Sequence, residues 1–344
     1  MTSGPLQHNT LRTPDGAKWL GRAAALVGLI AALWLVWRDD PRAVLRLMSV
    51  AGPGLVVAAL VHVFAMLANA WDWRLLLAGE QQPALLRMLR MVWVRESVNC
   101  MLPVARVGGE LASFRMMRRW GVSGPLAAAS LVTDIQLTLI SQMLFTAIGI
   151  AFLLLESGNH TLRIAADLVW GVVIAAPVLL LFSLVHHVRP FERLARAVNA
   201  MASGRLTSLV GHSADVDRTI REIWSRRATV LQYLFIWQPL QCLVTSLELL
   251  VALHFLGADI TVLQAFVLES LIQAVSSAAF FVPGALGVQE GGFVVIGSAL
   301  GIDPAACLAL AGARRIRDLL IYIPGLIAWQ RGESQARVTA PASE

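Results

Sequence analysis

"FVPGALGVQEGGF", residues 281 to 293, lies inside an apolar region yet holds a proline, four glycines, a glutamine and a glutamate. A plain spanning helix does not tolerate that combination. Proline removes a backbone donor and clashes with the preceding turn, and glycine weakens a helix interior. An ionisable side chain at bilayer depth costs about 2.5 to 3.5 kcal/mol on insertion scales. Irregular backbone survives at that depth only where protein or a watery cavity surrounds it. The stretch therefore predicts a broken helix inside a membrane bundle.

The rest of the chain supplies the bundle. Of its 344 residues 57% are hydrophobic and 15% charged, and the mean hydropathy is +0.67, well away from soluble-domain composition. Apolar runs of roughly 20 residues cross a bilayer as helices. Such runs predict spans at 20–37, 51–71, 125–155, 165–185 and 228–255, with broken apolar material at 88–105 and 262–330. No small-x-small cleavage site follows the first run, so it is read as a retained span. The expected fold class is all-α, a polytopic membrane bundle. Its expected divisions are a cytoplasmic tail (1–18), a single transmembrane domain (19–330) and a disordered cytoplasmic tail (331–344).

Basic residues orient the spans. The connection 186–227 holds Arg189, Arg193, Arg196, Arg205, Arg218, Arg221, Arg226 and Arg227, whereas the loops near 156–164 and 256–261 contain only Arg163. Short-loop basic residues mark the cytoplasmic side. The connection, the Arg115–Arg118–Arg119 cluster and the N-terminus then lie inside. The net charge of +6 is accounted for by loops beside anionic lipid and needs no nucleic-acid partner. Within the connection, Phe191, Leu194, Ala195, Val198 and Met201 recur at helical spacing and predict a helix lying in the interface; the remainder reads as linker.

A second anomalous stretch, "VWVRESVNCMLPVARVGGELASF" (92–114), loads one apolar segment with Glu96, Asn99, Pro103, Arg106, Gly108, Gly109 and Glu110. Both its ends fall on the cytoplasmic side, which predicts a dip into the membrane and back. "LPVARVGGE" (102–110) and "VPGALGVQE" (282–290) each place proline seven residues before glutamate, with alanine two after the proline. Upstream, "RESVN" (95–99) and "LESLIQ" (268–273) each offer Glu-Ser and then an amide residue. The shared order predicts an internal duplication with a first broken unit at 88–114 and a second at 262–302. Because the second enters from the opposite side, the two form an inverted repeat of re-entrant hairpins. Broken helices meeting near the midplane offer free backbone groups and dipole ends to a polar substrate, a transporter arrangement.

The candidate substrate-binding or translocation residues are Glu96, Asn99, Arg106, Glu110, Glu269, Gln273, Glu290, Arg314 and Arg315. Pro103, Gly108, Gly109, Pro283, Gly284 and Gly287 are the candidate helix breaks. Gly287 with Gly291, and Gly297 with Gly301, are equally readable as small-residue packing faces. "ARRIRDL" (313–319) adds Arg317 and Asp318. These charges lie within the membrane if their helix begins near 305, and form an interfacial cluster if it begins at 319. Asp134, Gln136 and Glu248 are further interior candidates.

Catalysis is poorly signalled. Cys100, Cys242 and Cys307 stand in separate apolar segments without ligand spacing, and the seven histidines include no HExxH. No cofactor, metal or catalytic residue is expected. "GVSG" (121–124) has the spelling used by some intramembrane serine proteases. Ser123 ahead of Pro125 also serves as a turn and helix cap.

Glu-Ser-x-Asn followed by Leu-Pro and Gly-Glu, then Pro-Gly-x-Leu-Gly-x-x-Glu-Gly, then an Arg-rich last unit, resembles the lysylphosphatidylglycerol synthase transmembrane-region family over roughly 15–330. That family includes the flippase half of bacterial multiple-peptide-resistance factors and standalone proteins, some associated with hopanoid biosynthesis. The resemblance implicates Glu96, Asn99, Pro103, Arg106 and Glu110, then Pro283, Gly284, Gly287 and Glu290, then Arg314 or Arg315. The first motif departs by one position from the family's common Leu-Pro-x-Arg-x-Gly-Glu. The soluble aminoacyl-transferase part is absent from this sequence. What the resemblance implies is movement of an amphipathic lipid across the bacterial inner membrane: a hopanoid, an aminoacylated phospholipid or a polyprenyl-phosphate-linked lipid. A lipid-biosynthesis enzyme is a possible partner, the oligomeric state stays open, and a scaffold or a lipid-modifying enzyme remains the alternative.

Overall fold

The computed structural model describes residues 41–156 and 207–339 apart from 78, 80–81, 103–106, 280–281 and 283–284. The expected spans at 20–37 and 165–185, the interfacial helix near 191–201, and Pro103, Arg106, Pro283 and Gly284 lie outside the described residues. Those residues form helices in the order α1 (Pro41–Ala51), α2 (Gly54–Leu76), α3 (Leu85–Met101), α4 (Val107–Arg119), α5 (Gly124–Glu156) and α6 (Thr207–Ser225). Then follow α7 (Arg227–Phe255), α8 (Val262–Ala278), α9 (Val288–Ala299) and α10 (Pro304–Thr339). Among the described residues there is no strand.

Among the described residues three helices are long and apolar enough to cross a membrane: α2, α5 over Gly124–Leu154, and α7. At 1.5 Å per residue even the 23-residue α2 reaches about 35 Å, past a hydrocarbon thickness of about 30 Å. Their outer faces are apolar. Val56, Leu60 and Phe64 of α2 and Phe235, Leu243 and Leu247 of α7 are exposed, a band that lipid and not water must cover. Their inner faces are mixed, with Ala58, Asn69, Asp72 and Trp73 of α2 buried. The chain is thus a multi-pass membrane bundle.

Two helical pairs differ from the spans. α3 and α8 have 17 residues each, about 25 Å, and each is followed after a break by a short helix, α4 of 13 residues and α9 of 12. α8 opens on a capping box in which Thr261 Oγ1 accepts from the Gln264 N–H at 3.2 Å and Gln264 Oε1 accepts from the Thr261 N–H at 2.9 Å. α9 opens on Gly287, whose φ of 78° suits a residue without a Cβ. The last helix, α10, is continuous from Pro304, with Asp303 Oδ1 accepting the Ala305 N–H at 2.9 Å as its cap and proline tolerated in the first turn. Of the two alternatives for "ARRIRDL", the longer helix is the one formed. It runs on as helix to Thr339, past residue 330, where the sequence predicted a disordered tail.

One expectation needs correcting. Part of the supposed linker, Thr207–Ser225, is the helix α6 and packs along α5. Ile220 and Ile223 are fully buried, and Trp224 Nε1 donates to Gln136 Oε1 at 3.1 Å. An amphipathic surface helix of this kind has a low mean hydropathy, so its length-averaged polarity hides it.

Side chains sort into two apolar cores along the bundle axis. One joins the start of α2 (Leu55, Ala58), the ends of α5 and α7 (Leu153, Leu253), α8, α9 and the start of α10. The other joins the end of α2 (Trp73, Leu76), α3, α4, the start of α5 (Ala127, Leu137), α6 and Tyr233. Between them lies a polar layer.

Candidate functional site

The polar layer holds a cavity of about 300 Å³ lined by residues from α2, α3, α5, α7, α8, α9 and α10. Ala65, Leu139 and Gln241, the middle residues of the spans Gly54–Leu76, Gly124–Leu154 and Arg227–Phe255, all line it. The cavity therefore sits at mid-depth. Its wall combines amides (Asn69, Gln142, Gln238, Gln241, Gln273, Gln289) with charged side chains from both broken units and α10.

In the first unit, Arg95 is the hub. Its Nη1 donates to Asp134 Oδ2 at 2.8 Å and its Nε to Glu96 Oε1 at 3.2 Å, with Glu110 Oε1 at 3.8 Å. Its guanidinium stands 4.7 Å from the centre of the Trp73 ring, a cation–π contact. Asp134 Oδ1 accepts the Tyr233 hydroxyl at 2.8 Å. Tyr233 opens a π-helical turn in α7, Tyr233–Trp237, a distortion often found where function resides. Asn99 Oδ1 accepts the Gly109 N–H at 2.9 Å and so ties α4 back to α3 across the break. A Cβ on Gly109 would lie 2.5 Å from the Arg95 carbonyl and from Asn99 Oδ1.

The second unit is tied to α10. Arg314 pairs with Glu269, and Gln273 Nε2 donates to Glu269 Oε1 at 3.0 Å. Arg315 donates to Glu290 Oε1 from Nε at 3.0 Å and from Nη2 at 2.9 Å. Arg317 Nη1 donates to Glu248 Oε1 at 2.6 Å, and its Nη2 to Asp318 Oδ1 at 2.6 Å. His62 Nδ1 meets Glu248 Oε2 at 2.8 Å and its Nε2 meets the Tyr322 hydroxyl at 3.0 Å. α10 keeps this register against α3 through Trp93 Nε1, which donates to the Ile321 carbonyl at 2.7 Å, in the turn before Pro324, which has no N–H of its own to donate.

Of the sequence-predicted residues, Glu96, Asn99, Glu269, Gln273, Arg314 and Arg315 line the one cavity. Glu110 and Glu290 do not. Each sits in the first turn of the short helix after a break, where a carboxylate suits the helix dipole, and each faces an arginine. Glu110 Oε2 is buried without a hydrogen-bond partner among the described residues. Asp134 and Glu248, read as interior candidates, are buried in the layer.

Sequence reasoning missed Arg95, His62, Asp72, Tyr233 and the amides of α7. For Arg95 the signal was its place inside the quoted "RESVN" repeat. His62, alone in an apolar run, reads as core, and its partner Glu248 is 186 residues away. Asp72 is fully buried, with Oδ2 accepting from Gln238 Nε2 at 2.9 Å and Oδ1 without a partner among the described residues. Among the described residues nearby carboxyls outnumber guanidiniums: Asp72, Glu96, Glu110, Asp134, Glu248, Glu269, Glu290 and Asp318 against Arg95, Arg314, Arg315 and Arg317.

Chemically, such a cavity replaces water's hydrogen bonds for a polar group at mid-depth. Ser123 is far from it in role, exposed at the turn before α5. Among the described residues no group of three or more His, Cys, Asp or Glu is placed to hold a metal.

The family model for "Lysylphosphatidylglycerol synthase TM region" matches residues 23–325. No curated protein matches the chain, and no solved structure does.

Proposed function

Because the chain belongs to the lysylphosphatidylglycerol synthase TM region family, we propose that its mid-depth cavity receives the headgroup of an amphipathic lipid passing between the leaflets of the bacterial inner membrane. The family is flippase-like, a transmembrane transport domain and not a catalytic one. The observation that carries the finer reading is the joint lining of one cavity, at the middle of three spans, by Glu96 and Asn99 of one unit and Glu269 and Gln273 of the other. A headgroup leaving the interface loses its water hydrogen bonds, at a cost of several kcal/mol unless they are replaced. Amides and ion pairs at the crossing point replace them.

We also propose that the two units are inverted repeats. Their matching plan supports this: a 17-residue helix, a break, and a short helix carrying an arginine-facing glutamate in its first turn. The arginine-rich connection 186–227 supports a cytoplasmic N-terminus. Hopanoids, aminoacylated phospholipids and polyprenyl-phosphate-linked lipids are the substrate candidates, and a lipid-biosynthesis enzyme is the natural partner.

Leaflet-resolved translocation of these lipids in proteoliposomes tests the reading. The expected result is protein-dependent movement of at least one class, lost in Glu269→Gln. Chemical change of the lipid would support an enzyme. No movement of any class by folded protein would leave a scaffold.

A further inference from the structure

Among the described residues the polar layer holds more carboxyls than guanidiniums, and one of its ion-pair clusters contains His62, the one histidine among them that lines the cavity. We propose that the His62–Glu248 pair binds a proton which is transported or counter-transported with the lipid. The proposal rests on the lipid-transport reading above.

The geometry assigns the steps. His62 projects from α2 and is met from α7 by Glu248 and from α10 by Tyr322 and Arg317. Arg317 also holds Asp318, Asp318 Oδ2 lies 3.6 Å from Cys100 Sγ on α3, and Arg314 lies beside Glu248 and Arg317. Glu96 shares the cavity wall. With the pair carrying no extra proton, Nδ1–H donates to Glu248 Oε2 and Nε2 accepts the Tyr322 hydroxyl. This tautomer is assigned from the partners.

Adding one proton has two placements: imidazolium beside carboxylate, or a neutral imidazole accepting at Nδ1 from a protonated Glu248. Both put hydrogen on Nε2. In both, therefore, the new N–H bond points at Tyr322, whose hydroxyl must reverse from donor to acceptor. Both also weaken the hold of Glu248 on Arg317, since either the carboxylate is neutralised or a positive ring stands 3.3 Å from Arg317 Nη1. Arg317 and Tyr322 belong to α10, which also carries Arg314 and Arg315 into the cavity. Proton occupancy thus acts on the helix that presents the cavity's cations, while His62, 13% exposed at its side chain, stays within reach of the cavity. The surplus of carboxyls among the described residues favours proton uptake, because uncompensated charge at mid-membrane is costly.

The test uses the full chain in phosphatidylcholine vesicles containing a trace of acyl-labelled fluorescent phosphatidylglycerol or a labelled hopanoid, with the membrane voltage clamped to zero. One proton per lipid makes a one-unit pH difference shift the steady leaflet ratio about tenfold, and reversing the gradient reverses the shift. In His62→Gln the ratio loses its dependence on the gradient. Lipid exchange in the wild-type protein to the same ratio under both gradients overturns the proposal while leaving transport intact. If neither probe moves, the transport reading fails for those lipids, and histidine NMR of the solubilised protein decides the proton site. A resonance absent in His62→Gln should report a change of protonation state as the pH is varied, and Glu248→Gln should alter that change. A His62 that keeps one protonation state at every pH overturns the proposal.

Discussion

Arg315 donates to a single oxygen of Glu290 from two of its nitrogens, Nε at 3.0 Å and Nη2 at 2.9 Å, while the other oxygen of Glu290 accepts the Gly287 N–H at 2.7 Å. One carboxylate therefore closes the start of α9 and fastens that helix to α10. Replacing it with glutamine keeps an oxygen for Gly287 but strips Arg315 of its charge partner, leaving Asp318 Oδ2 at 3.7 Å.

Removal of one member of a buried ion pair costs about 3–5 kcal/mol, and Arg315 is partly open to the cavity, so Glu290→Gln is expected to cost about 2–3 kcal/mol. Arg315→Gln should cost a similar amount. The double substitution should cost less than the two together, with a coupling of about 1–3 kcal/mol. A double-mutant cycle by unfolding in detergent measures this, and strict additivity would show that the pair contributes nothing.

Gly109 carries the close approach of α4 to α3. A Cβ there meets a backbone carbonyl and the very oxygen that accepts its own N–H, so relief requires moving α3 or breaking the Asn99 contact. Gly109→Ala should lower stability by about 1–3 kcal/mol and reduce lipid movement, because Asn99 and Glu96 shift with the hairpin. Asn99→Ala alone should cost less, since it removes an acceptor without inserting an atom. Thermal unfolding of both variants, with the order of severity reversed, would remove this account of the break.

Much of the fold was legible because membrane spans are written in length and composition: α2, α5 and α7 fall on apolar runs within a few residues at each end. The two anomalous stretches stood out because proline, glycine and glutamate contrast with their apolar neighbours. Pairing was not legible. Arg95 reaches Asp134 across 39 positions and Arg317 reaches Glu248 across 69, and no local periodicity encodes such distances. Helix α6 was missed for a different reason. Ile220 and Ile223 carry a helical spacing, but Asp215, Asp217, Arg218, Arg221 and Glu222 around them lower the average, and a search for spans passes over it. What Glu110 and Glu290 touch was not legible in the sequence. Position in an apolar segment identified them, whereas the direction of the short helices decided that they face arginines and not the cavity.

The Gly-x-Ser-Gly spelling at 121–124 predicts little once Ser123 is seen exposed at a turn. Its carbonyl accepts the Ala127 N–H at 2.9 Å in the first turn leading into α5, a bond that alanine preserves. Ser123→Ala should therefore cost at most a cap, about 0.5–2 kcal/mol, and leave lipid movement intact. Lost turnover of any lipid in a folded, membrane-inserted Ser123→Ala protein would bring back a hydrolase.

The final prediction separates lipid classes by what they must displace. Arg314 is held by Glu269, with Gln273 on the same carboxylate and the guanidinium 5.2 Å from the centre of the Phe293 ring. No guanidinium named in the layer lacks a carboxylate partner, so a phosphate gains Arg314 only by taking the place of Glu269, and charge-assisted bonds of this kind are the strong ones. A phosphate-bearing lipid should bind more than tenfold more weakly to the Arg314→Gln, Arg315→Gln protein. It should bind more tightly yet move more slowly in Glu269→Gln, where a freed Arg314 holds the phosphate without a carboxylate to reclaim it. An uncharged hopanoid should bind more weakly, not more tightly, in Glu269→Gln. Its hydroxyls need the carboxylate and amide acceptors, so Glu269→Gln slows it most and the arginine pair matters less. Binding and leaflet-resolved rate for both lipids in both variants distinguish these patterns. Glu110→Gln with Glu290→Gln should act on both classes alike, through stability, because neither side chain lines the cavity. Full activity toward every lipid in Glu269→Gln would exclude the cavity as the headgroup site.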